Sequence, residues 1–164
     1  MIFNMVHSNT HLSRLEIIFS RDPVYFITTN AEDRRARFDS HEFHEICEEV
    51  WETGQTLHGW SVGPYVIMPD HVHFFCRGSR EIPESLSLFV GKWKEWTAKK
   101  AIRRLGFSKP VWQPEFFDHV VRSEEFLSKK IDYVLNNPVR AGFCEDPLDW
   151  PYRGNPGEWV GGYL

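Results

Sequence analysis

Apolar positions along the chain follow two different periods, and the switches between them mark the elements. Val24-Tyr25-Phe26-Ile27-Thr28-Thr29 is β-branched and aromatic, opens after Pro23, and predicts a strand. After the polar stretch from Asn30 to Arg37, Ser40 predicts an N-cap. Phe43, Ile46, Cys47 and Val50 then recur at the three-to-four spacing of a helix that Gly54 is expected to stop. Leu57 to Met68 reads as a second strand, Pro69-Asp70 as a tight turn, and His71 to Arg77 as its hairpin partner. A long helix is expected from Glu84 to Leu105, with Leu86, Phe89, Val90, Trp93, Trp96 and Thr97 on one side and Gly106 as its stop.

The pattern then repeats on a smaller scale. Val111 to Pro114 is extended and Phe116 to Arg122 is a further strand. Ser123 caps a third helix with Glu124 and Glu125 in its first turn, where the helix dipole favours acids. Its core face is Leu127, Ile131, Val134 and Leu135, and Pro138 ends it near Asn136 or Asn137, because the residue before proline resists helical geometry. Asn137 to Phe143 reads as the turn that follows. The first residues, to about position 20, lack clear periodicity, although Leu15 to Phe19 suits a short strand or a turn of helix. Helices interleaved with hairpins predict an α+β domain: a ferredoxin-like antiparallel sheet covered by helices. One domain is expected over residues 1–164, with its core at about 22–145 and a coil-like tail at 146–164 rich in Pro, Gly and Trp.

Charge modifies this picture by its distribution more than by its sum. The formal net charge of −4 and pI near 6.1 count against a general nucleic-acid binder. Yet Lys92, Lys94, Lys99, Lys100, Arg103, Arg104 and Lys109 face a single acid, Glu95, whereas the first helix carries Glu42, Glu45, Glu48, Glu49 and Glu52. That polarisation is compatible with one basic face on an acidic protein. The 15% aromatic content serves either a Phe-rich core or flat surfaces for stacking bases. Three cysteines, Cys47, Cys76 and Cys144, lack zinc-type spacing and give no disulfide framework; Cys76 reads as core. With no signal-peptide pattern and no apolar run of membrane-spanning length, a cytoplasmic location is expected.

Candidate chemistry centres on His71-Val72-His73. Strand side chains alternate faces, so both imidazoles point the same way and make either half of a metal site or two polar residues on a wet face. Tyr133 and Asn137 stand four apart, a spacing that shares one helix face. Asp118 and His119 could orient a ligand or merely form an exposed edge. His41, His44 and Glu45 fit a solvated helix face better than a zinc site. Phosphate-loop, dinucleotide and serine-hydrolase motifs are absent from the sequence.

The order of these pieces resembles that of the REP-associated tyrosine transposases, a group of single-tyrosine HUH transposases of the insertion-sequence-200 type. The resemblance is carried by Met68-Pro-Asp-His-Val-His73, then the long basic helix, Trp112-Gln113-Pro114, Asp118-His119 and Tyr133-Val-Leu-Asn-Asn-Pro-Val-Arg-Ala-Gly142. It extends from about Val24 to Arg153 and includes Asp149-Trp-Pro-Tyr152. It implies a ferredoxin-like fold, Mg²⁺ or Mn²⁺ held by His71, His73 and the amide oxygen of Asn137, and Tyr133 as the nucleophile. Asn136 competes with Asn137 for the third ligand position, since the proline pushes Asn137 out of helical geometry.

On that reading the substrate is a single-stranded DNA hairpin of repetitive palindromic type, cleaved and rejoined through a 5′-phosphotyrosine. Lys92, Lys94, Lys99, Lys100, Arg103 and Arg104, with Arg34, Arg35 and Arg37 as a second group, are candidate contacts to the DNA backbone. The alternative is a catalytically silent hairpin-binding protein of the same fold. Relatives occur as monomers and dimers, so the resemblance leaves the oligomeric state open.

Overall fold

The strand signatures assemble into one five-stranded antiparallel sheet in the computed structural model, which describes residues 23–32, 38–79 and 83–158. In chain order the elements are β1 (Val24–Asn30), α1 (His41–His58), β2 (Trp60–Met68), β3 (His71–Gly78), α2 (Leu86–Leu105), β4 (Phe117–Val121), α3 (Glu124–Leu135), α4 (Asn137–Arg140), a 3₁₀ turn at Pro147–Asp149 and β5 (Arg153–Gly154). The strand order is β4-β1-β3-β2-β5. Its first four positions are the split βαβ arrangement of a ferredoxin-like domain, as the element order predicts. Leu15 to Phe19 and the arginines Arg34, Arg35 and Arg37 lie outside the described residues.

Two helix starts are where the sequence puts them, at Ser40 and Ser123, while the long helix opens two residues later than Glu84, at Leu86 behind a Ser85 cap. Ser40 accepts from the Phe43 amide at 3.2 Å, Ser85 from Leu88 at 3.3 Å and Ser123 from Phe126 at 3.2 Å. Each hydroxyl satisfies one amide that the first turn of a helix leaves unpaired. The first helix does not stop at Gly54, however. Gly54 is buried within α1, where an added Cβ would lie 3.1 Å from the Phe89 ring. It is there for close helix packing, and the stop comes at Gly59, whose φ of 73° is the left-handed cap glycine tolerates best. The second strand accordingly starts at Trp60 and not at Leu57.

The tail is also more structured than a coil. β5 pairs with β2 through Tyr65↔Gly154 and Val66↔Arg153. The Trp150 indole donates to the Ile67 carbonyl at 3.0 Å, and the Ile67 amide donates to Tyr152 O at 2.8 Å. Gly154 is required by this closure, because a Cβ there would sit 2.6 Å from the Tyr65 hydroxyl.

Two cores flank the sheet. On one side α1 and α2 pack against Ile27, Tyr65, Ile67, Val72, Phe74 and Cys76, with Trp51 stacked on Trp93 at 5.2 Å between centroids. On the other, α3 places Leu127, Ile131, Val134 and Leu135 over Val24, Phe26, Val66, Met68 and Phe75. β3 thus serves both layers by strict alternation: Val72, Phe74 and Cys76 go to the α1/α2 core, while His71, His73 and Phe75 face the α3 side.

The α1/α2 layer also resolves the charge polarisation. Glu49 of α1 accepts from Lys100 at 2.7 Å and takes Arg104 bidentately at 2.9 and 3.0 Å. Those hydrogen bonds hold the Glu49 carboxyl down at about 2. The acidic and basic helices neutralise each other in part, and no uninterrupted basic face results. Lys94 is buried, its ammonium donating to the carbonyls of Gln113, Pro114 and Glu115 at 2.5, 2.8 and 3.1 Å. It anchors the segment before β4 and does not reach solvent as a backbone contact for DNA would.

Two expectations follow from these charges. Lys94→Met strands three carbonyls and should cost about 2 kcal/mol in urea unfolding at neutral pH; an unchanged midpoint would show that this ammonium anchors nothing. Glu49 has a folded-state carboxyl below the ordinary 4.5, so its stabilisation is complete above that pH and is lost as pH falls towards about 2. Glu49→Gln should therefore lower stability by up to about 1 kcal/mol at neutral pH, with the deficit vanishing across that acid window. A deficit that persists at the acid end would contradict the assignment.

Candidate metal and nucleophile site

The Pro69-Asp70 turn sets the start of β3, and the sheet register does the rest. His71 pairs across to Met68 and Asn30, and His73 to Val66 and Thr28. Alternation brings the two imidazoles together on the α3 side with ring centroids 4.6 Å apart. Each ring is held through the same nitrogen. His71 Nδ1 donates to Asp70 Oδ1 at 2.6 Å, and His73 Nδ1 lies 2.8 Å from Thr28 Oγ1. A carboxylate can only accept, so His71 carries a proton on Nδ1 and is left with Nε2 as its second ring nitrogen. Burial holds His73 neutral, down at about 3, with the charges of His71 and Lys130 acting the same way. Two imidazoles side by side, each engaged through Nδ1 by an outer hydrogen bond, have the arrangement of metal ligands.

The second half of the site is the end of α3. With Leu127, Ile131, Val134 and Leu135 committed to the core, Lys130, Tyr133 and Asn137 follow one another at i, i+3 and i+7 along an adjoining stripe. Tyr133 is 47% exposed, enough for its hydroxyl to meet a partner from outside. Lys130 joins the two halves. Its ammonium lies 4.4 Å from the centre of the Phe26 ring and 5.1 Å from that of Tyr133, and Phe26 itself is 5.4 Å from the His73 ring. Arg140 covers Tyr133 as well, with its guanidinium carbon 4.3 Å from the ring centre.

The two asparagines behave differently from the expectation that proline would expel Asn137 from helical geometry. The break falls one residue earlier, at Asn136 (φ −83°, ψ 0°), and Asn137 begins the helical turn α4 with Pro138 next to it. Proline is at home in a first helical turn, where its missing N–H would be unpaired anyway. Asn137 Nδ2 donates to Val134 O at 3.0 Å and Asn136 Nδ2 to Asp132 O at 2.8 Å. Each amide is thus oriented by its nitrogen and keeps Oδ1 as a possible ligand atom. Among the described residues no three His, Cys, Asp or Glu side chains are grouped to hold a metal ion, so a third ligand drawn from those residues would be of another type.

Of the remaining described candidates, His119 shares the imidazole face, opposite Phe26 in the β1–β4 register, and the others do not. Asp118 and His119 are exposed on the edge strand β4 and point to opposite faces, His119 lying against Phe126 at 5.8 Å. The basic residues of α2 lie across the sheet from the imidazoles. Lys92 and Lys99 pair with Glu95 at 3.0 and 2.6 Å, Lys100 and Arg104 with Glu49, and Arg103 is exposed. His44, read as solvated, is instead half-buried, its Nε2 within 2.5 Å of the Tyr65 hydroxyl. Four neighbours of the site are given no chemical role by the sequence reading: Asp70 and Arg140, which lie inside the motifs quoted for the resemblance, and Thr28 and Lys130, which lie outside them. Lys130 could have been found from its spacing to Tyr133 on a helix. Thr28 could not, because only the strand register brings it to His73 across 45 residues.

No protein-family model matches the chain. It is 23% identical over 141 residues to the REP-associated tyrosine transposase of Escherichia coli K12, covering 86% of this chain and 81% of that protein. It is 25% identical over 143 residues to a Haemophilus influenzae Rd protein provisionally given the same designation, covering 82% and 80%. Among solved structures, a REP-associated tyrosine transposase bound to a REP hairpin superposes with a TM-score of 0.68 at 21% identity, over 87% of each chain. Along most of its length the chain is similar in sequence to the REP-associated tyrosine transposases, and it shares the fold of a solved one.

Proposed function

We propose that this protein cleaves and rejoins single-stranded DNA at a hairpin by transesterification through Tyr133. The observation that carries the reading is the convergence, on one face of the sheet, of the oriented imidazole pair with an exposed tyrosine, joined through Lys130. The solved relative's hairpin supports the choice of DNA form. Tyr133 Oη would attack phosphorus; the P–O3′ bond breaks, the phenolic proton is transferred overall to the departing 3′ oxygen, and the 5′ phosphate stays on the tyrosine. The phosphodiester is conserved in energy, so a second 3′ hydroxyl can reverse the step and join a different end.

His71 Nε2 and His73 Nε2, with the amide oxygen of Asn137, are the proposed ligands of a divalent ion, Mg²⁺ or Mn²⁺. Such an ion would supply Lewis-acid neutralisation of the phosphate charge. Asp70 and Thr28 keep the two rings turned, which removes the need to reorganise them when the ion binds. A nitrogen-rich ligand set favours Mn²⁺ over Mg²⁺ when both are offered.

Incubation with a labelled pool of single-stranded DNA hairpins and Mn²⁺ tests this directly. A covalent protein–DNA band resistant to denaturation should form with the wild type and be absent in Tyr133→Phe, which keeps the ring. Tight hairpin binding with no adduct from the pool would instead support a silent binding protein. Mn²⁺ affinity measured by calorimetry should fall by at least about tenfold in His71→Ala. Equal affinity in that variant would remove the metal from the account.

A further inference from the structure

We propose that Lys130 and Arg140 together form an anion seat around Tyr133 that holds the scissile phosphate against the phenolic oxygen. The proposal rests on the phosphoryl-transfer reading of Tyr133 and adds to it two residues outside the imidazole, asparagine and tyrosine set. Both cations lie within reach of the ring, Lys130 Nζ at 5.1 Å and Arg140 Cζ at 4.3 Å from its centre, approached from different elements. Cations in contact with an aromatic ring are fixed near it without being consumed by a carboxylate.

Much of the basic complement is already engaged, although Arg103, Lys109, Arg122 and Arg153, like Lys130 and Arg140, have no carboxylate partner among the described residues. Lys92, Lys99, Lys100, Arg104 and Lys129 are each ion-paired with a glutamate, and Lys94 is sealed by carbonyls. Among the described residues neither Lys130 nor Arg140 is paired with a carboxylate, so both keep their donors for an incoming anion. They therefore place accessible positive charge at Tyr133, the one exposed tyrosine among the described residues.

The chemistry needs charge there. A phosphodiester carries one negative charge in the ground state, and a second develops on the phosphoryl oxygens and the attacking phenol as the proton leaves. Donors placed beside the nucleophile gain most as that second charge appears, which is the condition for accelerating the step and not merely tightening binding. Arg140 can grip two phosphate oxygens with its planar fork, whereas Lys130, lying over Phe26, brings a point charge between the tyrosine and the imidazole pair. The competing account is structural: two cations near the end of α3 would steady the helix dipole and pin the tyrosine ring.

The two accounts separate in Lys130→Met and Arg140→Gln, which keep most of the side-chain stem and remove the charge, and in the conservative Lys130→Arg and Arg140→Lys. Single-turnover adduct formation with the hairpin pool, saturating DNA and Mn²⁺ should slow by about ten- to a hundredfold in each neutral variant, with unchanged thermal unfolding. The conservative variants should recover most of the rate. The salt dependence of hairpin binding should also lose about 0.7 from its log–log slope per neutralised cation. Wild-type adduct rates in both neutral variants would overturn the seat while leaving the nicking reading intact. If the wild type forms no adduct, that reading falls, and the salt slope still decides the seat: an unchanged slope in both neutral variants overturns it.

Discussion

The alternation of β3 is the constraint on which the rest depends. Val72, Phe74 and Cys76 are fully buried against α1 and α2, so the strand cannot slip by one residue without exposing them and driving two imidazoles into an apolar core. That cost fixes the register, and the register places His71 and His73 on the opposite face, side by side, next to Thr28 of β1. The hydrophobic layer on one side of the sheet thereby holds the polar geometry on the other. The tryptophan stack of Trp51 and Trp93 belongs to the same mechanism, since it backs the face against which β3 is pinned.

The α3 side is built to leave an opening. Four apolar residues of α3 seal one end of the sheet, and the stripe beside them carries Lys130 and Tyr133 towards the imidazoles. The helix breaks at Asn136, and the new turn returns Arg140 to the tyrosine from the other direction. Asn137 opens that turn and keeps an amide oxygen uncommitted. Fold and site are joined here: a straight continuation of α3 would carry Arg140 away along the axis.

Much of this was legible in residue patterns because it depends on local rules. The caps at Ser40 and Ser123, the Pro69-Asp70 hairpin, the alternation of His71 and His73 and the core stripe of α3 each follow from short-range stereochemistry. The errors came where tertiary packing overrides a local preference. Gly54 reads as a helix stop but is a contact point for Phe89; the tail reads as coil but finds a free edge at β2; Asn137 before Pro138 reads as extended but starts a helical turn. The basic helix was misleading for a further reason. A charge run on one element does not show that Glu49 on another lies beneath it, nor that Lys94 turns inward. The cations that do meet the tyrosine, Lys130 and Arg140, lie outside that run, one on α3 and one on the turn after it.

The central claim is that the imidazole pair and Tyr133 form one centre and not two neighbouring surfaces. Anomalous diffraction from crystals of the Tyr133→Phe protein grown with Mn²⁺ and a single-stranded DNA hairpin tests it most directly. The account predicts one manganese peak within coordination reach of Nε2 of both His71 and His73, with a DNA phosphate between that ion and the ring at position 133. Manganese bound elsewhere, or a phosphate seated away from that ring, would contradict it.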